Sequence, residues 1–324
     1  MKKILSVLLM VLMVLGISVG CGNNNSSTNK GEGTSKGEDK LKIAYTTMDL
    51  SNAYFIQMVK GMEEKADEMG VELTVHDGKG DAANQVSAVE NFIVQGVDAI
   101  VISANDAEAL QPMVEKAKEA KIPVLSANVK LEGTAVHFDL IQHDFGFLAG
   151  EIAGQWIADK LNGKAEVAVF DYSQVPIVKE RVQGIIDGIK SKAPEAEIVS
   201  VQDAQTRELG YSVTESVLQA YPNLKVIVGM NDEGPLGAYE AVKAAGKDSE
   251  DFAIVGLDAV PEALEKIKEG GIYKGSVDNA PYATGKLVIE TAIKVINGEE
   301  VEDFMQFPLE KVTSENVDKF LETK

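Results

Sequence analysis

From Lys42 onward, short runs rich in Val, Ile and Ala alternate with longer amphipathic runs, and few folds accommodate that alternation. The short runs cover residues 42–47, 71–76, 99–103, 124–127, 166–170, 197–201, 226–229 and 253–257. Each is compact and largely apolar, without the in-out alternation of a half-exposed sheet. Each therefore predicts a strand covered on both faces by helices. The intervening stretches have helical period: Phe55, Met58, Val59, Met62, Ala66 and Met69 share a face, and Gly70 stops the run. That methionine-rich stripe reads as core packing. Strand and helix in turn make βα units, the signature of an α/β fold on a parallel sheet. The stretch from residue 41 to 324 is long enough for a single core to divide into two.

Almost every expected strand is followed by a carboxylate or an amide: Asp49, Asp77, Asn105 with Asp106, Asn128, Asp171, Asp203, Asn231 with Asp232, and Asp258. Ligands of open parallel sheets bind beyond the carboxyl ends of the strands, so this polar rim is the place for a site. Helix capping is the competing use of the same residue types, because Asp and Asn accept from the free amides of a helix start. About half of the rim is expected to do only that.

The first 40 residues are of another character. Met1, Lys2 and Lys3 give a positive start, residues 4–19 are almost wholly apolar, and Gly20 precedes Cys21, the single cysteine. The string Ile17-Ser18-Val19-Gly20-Cys21 resembles the lipobox of bacterial lipoproteins, with Ser18 where Leu is usual. The resemblance implies a signal peptide over residues 1–20 and lipidation of Cys21. A retained membrane helix is the rival reading, but the run is near the short limit of a bilayer span and no second one follows. Residues 21–40 contain no large apolar side chain and read as a flexible tether. With no cysteine beyond it, the body must hold together without disulfides.

The net charge of −20, from 51 acidic against 31 basic residues, would repel phosphate backbones and excludes nucleic acid as a partner. The turn after the first strand, Thr46-Thr47-Met48-Asp49-Leu50-Ser51, has no glycine through which a backbone could approach a dinucleotide pyrophosphate. Gly78-Lys79-Gly80 is too short for a phosphate loop. His76, His137 and His143, the three histidines, have no metal-ligand spacing, so neither a metal nor a cofactor is expected. A glycosidase would need two carboxylates across one bond, for which Asp171 and Asp258 are the available pair.

Lys42-Ile43-Ala44, Asn52-Ala53-Tyr54-Phe55, Gln95-Gly96-Val97-Asp98-Ala99-Ile100, Lys121-Ile122-Pro123-Val124, Asn231-Asp232-Glu233 with Leu236-Gly237-Ala238, and Ile254-Val255-Gly256-Leu257-Asp258 occur in order through the body. In that order and spacing they resemble the ribose-type solute-binding proteins of bacterial ABC importers, kin to the effector domains of LacI-type repressors. A repressor would need a DNA-binding helix pair where this chain has its signal and tether. The resemblance implies a type I periplasmic-binding-protein fold: two similar doubly wound α/β lobes joined by three hinge segments, with ligand enclosed between them. Crossings are then expected near residues 140–143, 277–280 and 307–309. One lobe would comprise residues 41–141 with 281–307, the other 142–280 with 308–324.

By the same resemblance Tyr54 and Phe55 form an aromatic wall, and Asn52, Asn231, Asp258 and Asn279 bond ligand hydroxyls. The Asp-Arg pair that clamps ribose in relatives is replaced by Asn128-Val129. A pocket arginine is replaced by Lys179, with Arg181 two residues on, and the far-lobe aromatic aligns with Gln205. Trp156, mid-helix, reads as packing. The expected function is a monomeric, lipid-tethered, extracytoplasmic binding protein. It would capture a small neutral sugar or polyol and deliver it to an ABC permease, without catalysis. A sensor that docks on a membrane receptor, for instance for a furanone signal, is the alternative, and a carbohydrate-active enzyme a further one.

Overall fold

The structure, a computed structural model, describes residues 40–322. The expected signal peptide, Cys21 and most of the tether lie outside them. The described chain folds on two six-stranded sheets.

The first sheet holds β1 (Lys42–Thr47), β2 (Glu72–Asp77), β3 (Ala99–Ile102), β4 (Val124–Ala127), β5 (Val136–Asp139) and β11 (Phe304–Gln306), in the spatial order β11-β5-β4-β3-β1-β2. All its pairings are parallel. Helices α1 (Ala53–Met69), α2 (Ala82–Gln95), α3 (Ala107–Glu119) and α9 (Pro281–Ile296) cover it. One face is sealed by Ile43, Tyr45, Met58, Met62, Val101, Leu125 and Ile289, the other by Ala44, Phe92, Ile100, Ile102, Leu110 and Val114. Two buried faces explain why β3 reads as an unbroken apolar run and β4 as one interrupted only by Ser126.

The second sheet holds β6 (Glu166–Asp171), β7 (Glu197–Asp203), β8 (Leu224–Val228), β9 (Ala253–Val255), β10 (Tyr273–Asp278) and β12 (Glu310–Thr313), in the order β12-β10-β9-β8-β6-β7. It is parallel apart from β12, which runs antiparallel to β10 along the edge. Helices α4 (Gln142–Leu161), α5 (Pro176–Lys192), α6 (Arg207–Ala220), α7 (Glu233–Ala244), α8 (Pro261–Glu269) and α10 (Val317–Leu321) belong to this lobe.

The chain passes between the lobes three times: between β5 and α4, between β10 and α9, and between β11 and β12. Two of the cleft-side helices, α8 and α9, start on proline, whose missing N–H costs nothing in a first turn. Ala280, just before α9, sits at φ 42°, in the left-handed region that non-glycine residues seldom enter.

Helix pairs pack unusually close where glycines face each other. Gly146, Gly150 and Gly154 of α4 oppose Gly184 and Gly188 of α5, and Gly61 of α1 lies against the backbone of Tyr282 at the start of α9.

Candidate functional site

The carboxyl ends of both sheets open on a common cleft. A cavity of about 520 Å³ is lined from the first lobe by Asn52, Ala53, Tyr54 and Gln57. The second lobe contributes Asp258, Ala259, Val260 and Pro261, and the β10–α9 crossing contributes Asn279 and Pro281. A larger groove of about 730 Å³ lies at the opposite end of the first sheet, around Asp98, Lys121 and Val295. It is walled by one lobe alone and is remote from the strand tips.

The first-lobe wall follows from local chemistry. Asn52 caps α1, its Oδ1 accepting from the Tyr54 amide at 2.9 Å. That fixes the first turn of the helix and holds the Tyr54 ring at the cleft. Asn128, at φ 68°, donates from Nδ2 to Tyr54 Oη at 3.1 Å. Its Oδ1 accepts from Ser103 Oγ at 3.3 Å, and Ser103 Oγ is 3.0 Å from Tyr45 Oη. Burial pushes the Tyr45 phenol up to about 12 and raises that of Tyr54 as well, so both remain neutral hydroxyls. Asn128 thus orients Tyr54 as part of a neutral polar chain.

Phe55 is a different matter. Its ring is 6% exposed, packed among Met58, Val59 and Ile289 in the core, and meets Tyr54 edge-on at 5.1 Å. It supports the wall from behind and does not line the cavity.

On the second lobe, Arg181 is the arginine within the field of Asp258. Its Nε and Nη2 donate to Gln142 Oε1 at 2.9 and 2.6 Å, Nη1 donates to the Met230 carbonyl at 2.7 Å, and the guanidinium lies 5.0 Å from the Phe145 ring. Burial lowers its pKa from the ordinary value, and the carboxylate of Asp258 opposes that effect. Lys179 is exposed on α5, about 200° around the helix from Arg181. Arg181 is thus partly buried within the field of Asp258, whereas Lys179 faces solvent. The burial pattern could have shown this, since Val178, Val182 and Ile185 mark the inward face of α5.

Asn231 has both ends of its amide occupied. Nδ2 donates to the Gln205 carbonyl at 2.9 Å and Oδ1 accepts from the Gly234 amide at 3.2 Å, so it ties two loops together at the start of α7. Gln205 Oε1 is buried without a hydrogen-bond partner.

Its neighbour Asp232 is 1% exposed. Burial first, and then the nearby Asp258, push its carboxyl up to about 8. A folded-state pKa above the unfolded value stabilises the fold fully only below pH ~4, and that contribution is lost between about pH 4 and 8. Stability measured by denaturant titration should therefore fall over that window in the parent. The fall should be shallower in Asp232→Asn; an equally steep one would contradict the assignment.

The chain matches the family model described as periplasmic binding protein domain over residues 43–300. It is 31% identical over 317 residues to the ribose import binding protein RbsB of Bacillus subtilis, covering 97% of this chain and 99% of the relative. Among solved structures it resembles a solute-binding protein of Actinobacillus succinogenes with bound D-allose, at 29% identity and TM-score 0.66, covering 86% of this chain and all of that one. It also resembles one of Bacillus halodurans with bound myo-inositol, at 28% identity and TM-score 0.62, covering 88% and 98%. These matches and the two-lobed α/β architecture define a class, the type I solute-binding proteins, which bind and do not catalyse. The chain belongs to the periplasmic binding protein family, with its ribose-type members as relatives.

Proposed function

We propose that this protein captures a small neutral sugar or polyol in the cleft and delivers it to an ABC permease. The observation that carries the reading is the composition of the 520 Å³ cavity: a neutral aromatic wall with amides on one lobe, Asp258 on the other, and Asn279 on the crossing between them. A ring's C–H face suits Tyr54, and its hydroxyls, each donor and acceptor, suit Asn52, Asp258, Asn279 and the N–H groups of Arg181 not taken by Gln142 and Met230. The free acceptor of Gln205 beside Asn231 favours a polar ligand further. Lobe boundaries at residues 41–141 with 281–307, and 142–280 with 308–324, let the ligand touch both lobes. Closure is then favoured by the bonds available only in the shut form.

The relatives bind ribose, D-allose and myo-inositol according to their names, and these three are the first ligands to try. In a thermal-shift assay, a true ligand at 100 times its Kd should stabilise the protein by about 2.7 kcal/mol. No shift with any pentose, hexose or cyclitol would overturn the reading.

Among the described residues no helix is long and apolar enough to cross a membrane. We assign membrane attachment to a lipid on Cys21 from the lipobox-like string that precedes it, since two acyl chains on one thiol give stable anchoring. Cys21→Ser should release the protein into the medium, and its retention in the membrane fraction would point to an uncleaved N-terminal helix.

A further inference from the structure

Three groups converge on the buried carboxyl of Asp232. Tyr273 Oη donates to Oδ1 at 2.8 Å, Ser276 Oγ lies 2.9 Å from Oδ1 and 3.1 Å from Oδ2, and the Val260 amide donates to Oδ2 at 2.9 Å. Ser276 Oγ in turn accepts from the Ala259 amide at 3.0 Å. Gly256 lies so close that a Cβ there would stand 1.9 Å from Asp232 Oδ1, so the strand end is shaped around the acid.

Tyr273 and Ser276 belong to β10, whereas Ala259 and Val260 belong to the loop that walls the cleft. That loop is conformationally costly. Asp258 and Ala259 take φ values of 97° and 49°, which side-chain-bearing residues adopt only when their surroundings impose them. The Asp258 amide is held by the Val277 carbonyl at 2.9 Å, so β10 grips the loop at Asp258, Ala259 and, through Asp232, Val260.

We propose that Asp232 is a positioning residue for the cleft: its carboxyl, braced by Ser276 and Tyr273, holds the loop 258–260, with Asp258 and Ala259 in their strained left-handed form and Val260 extended, and so aims Asp258 at the ligand. The ligand arm of this inference rests on the cleft being a sugar site; the loop arm stands apart from it. Asp232 does not line the cavity, and its effect passes through the two loop amides.

Hydrogen exchange on the full-length protein, combined with titration calorimetry using D-ribose, D-allose and myo-inositol, tests it. In Asp232→Ala and in the milder Ser276→Ala, amide protection at Ala259 and Val260 should drop at least tenfold, while β8 and β9 keep theirs. Asp232→Asn, which retains an acceptor for the Val260 amide and a donor for Tyr273, should restore most of it. Affinity for whichever probe binds the parent should fall about tenfold in Asp232→Ala and recover in Asp232→Asn. If no probe binds the parent, the sugar reading fails while the exchange data still decide the positioning role. Unchanged protection at residues 259 and 260, or an equal loss across the whole second sheet, overturns it.

Discussion

Gly150→Ala is expected to destabilise the protein by about 3 kcal/mol, at the upper end of what overpacking a core costs. The added methyl would stand 2.1 Å from the Ile185 carbonyl oxygen, 2.8 Å from the Ile189 nitrogen and 2.9 Å from Gly188 Cα. All three are backbone atoms of α5, so no side chain can rotate aside, and the two helices must separate along their length. Separation would loosen contacts of Phe145, Ala149 and Ala153 with Ile185 and Ile189, at the centre of one face of the second sheet. Gly163→Ala makes a good control: it meets nothing within 4 Å, so its cost comes only from φ 81°. Chemical denaturation of the two variants should rank Gly150→Ala well below Gly163→Ala; equal midpoints would mean that α4 and α5 are not packed backbone to backbone.

The second large effect concerns the two basic residues of α5. Arg181→Met should weaken binding of the preferred sugar or polyol on the order of 10²-fold, because it removes a planar donor set held in place by Gln142 and Met230 and leaves Asp258 without its facing cation. Lys179→Met, two positions away on the exposed face, should change affinity less than twofold. Calorimetric titration of both variants with the ligand that the parent binds separates these outcomes. Comparable losses in the two, or a loss confined to Lys179→Met, would remove Arg181 from the site.

That pair illustrates what the sequence reveals and what it hides. The strand runs at residues 42–47 and 124–127 coincide with β1 and β4, and the others among the eight overlap β2, β3 and β6–β9; the central strands, buried on both faces, write their burial directly into composition, whereas the edge strands β2 and β7 are only partly buried. The strands β5, β10, β11 and β12 carry no such signature. β10, Tyr273-Lys274-Gly275-Ser276-Val277-Asp278, is polar because its hydroxyls and carboxylate serve the Asp232 network and the crossing; β11 and β12 are short edges with half-exposed positions.

At the site, the family resemblance points to Asn52, Tyr54, Asp258 and Asn279, and all four line the cavity. It could not distinguish a side chain that faces the cleft from one that caps or packs. Asn231 spends its amide on loop contacts, Phe55 turns into the core, and Asn128 acts on Tyr54, each decided by a rotation about one helix or turn that adjacency in sequence does not encode. Asp232 was visible only as half of an Asn-Asp pair, since its partners lie about 30 to 45 residues downstream.

The threefold exchange of chain between the sheets also dictates the order of events during synthesis. The first lobe takes Val288, Ile289 and Ala292 of α9 into its core and β11 onto its sheet, so the earliest-made half stays incomplete until residues 281–306 have followed the strands and helices of the second lobe. The later half, needing only β12 and α10 beyond α9, closes within moments of it. Completing one half before the other is thereby denied to this chain, and the two lobes must finish folding together.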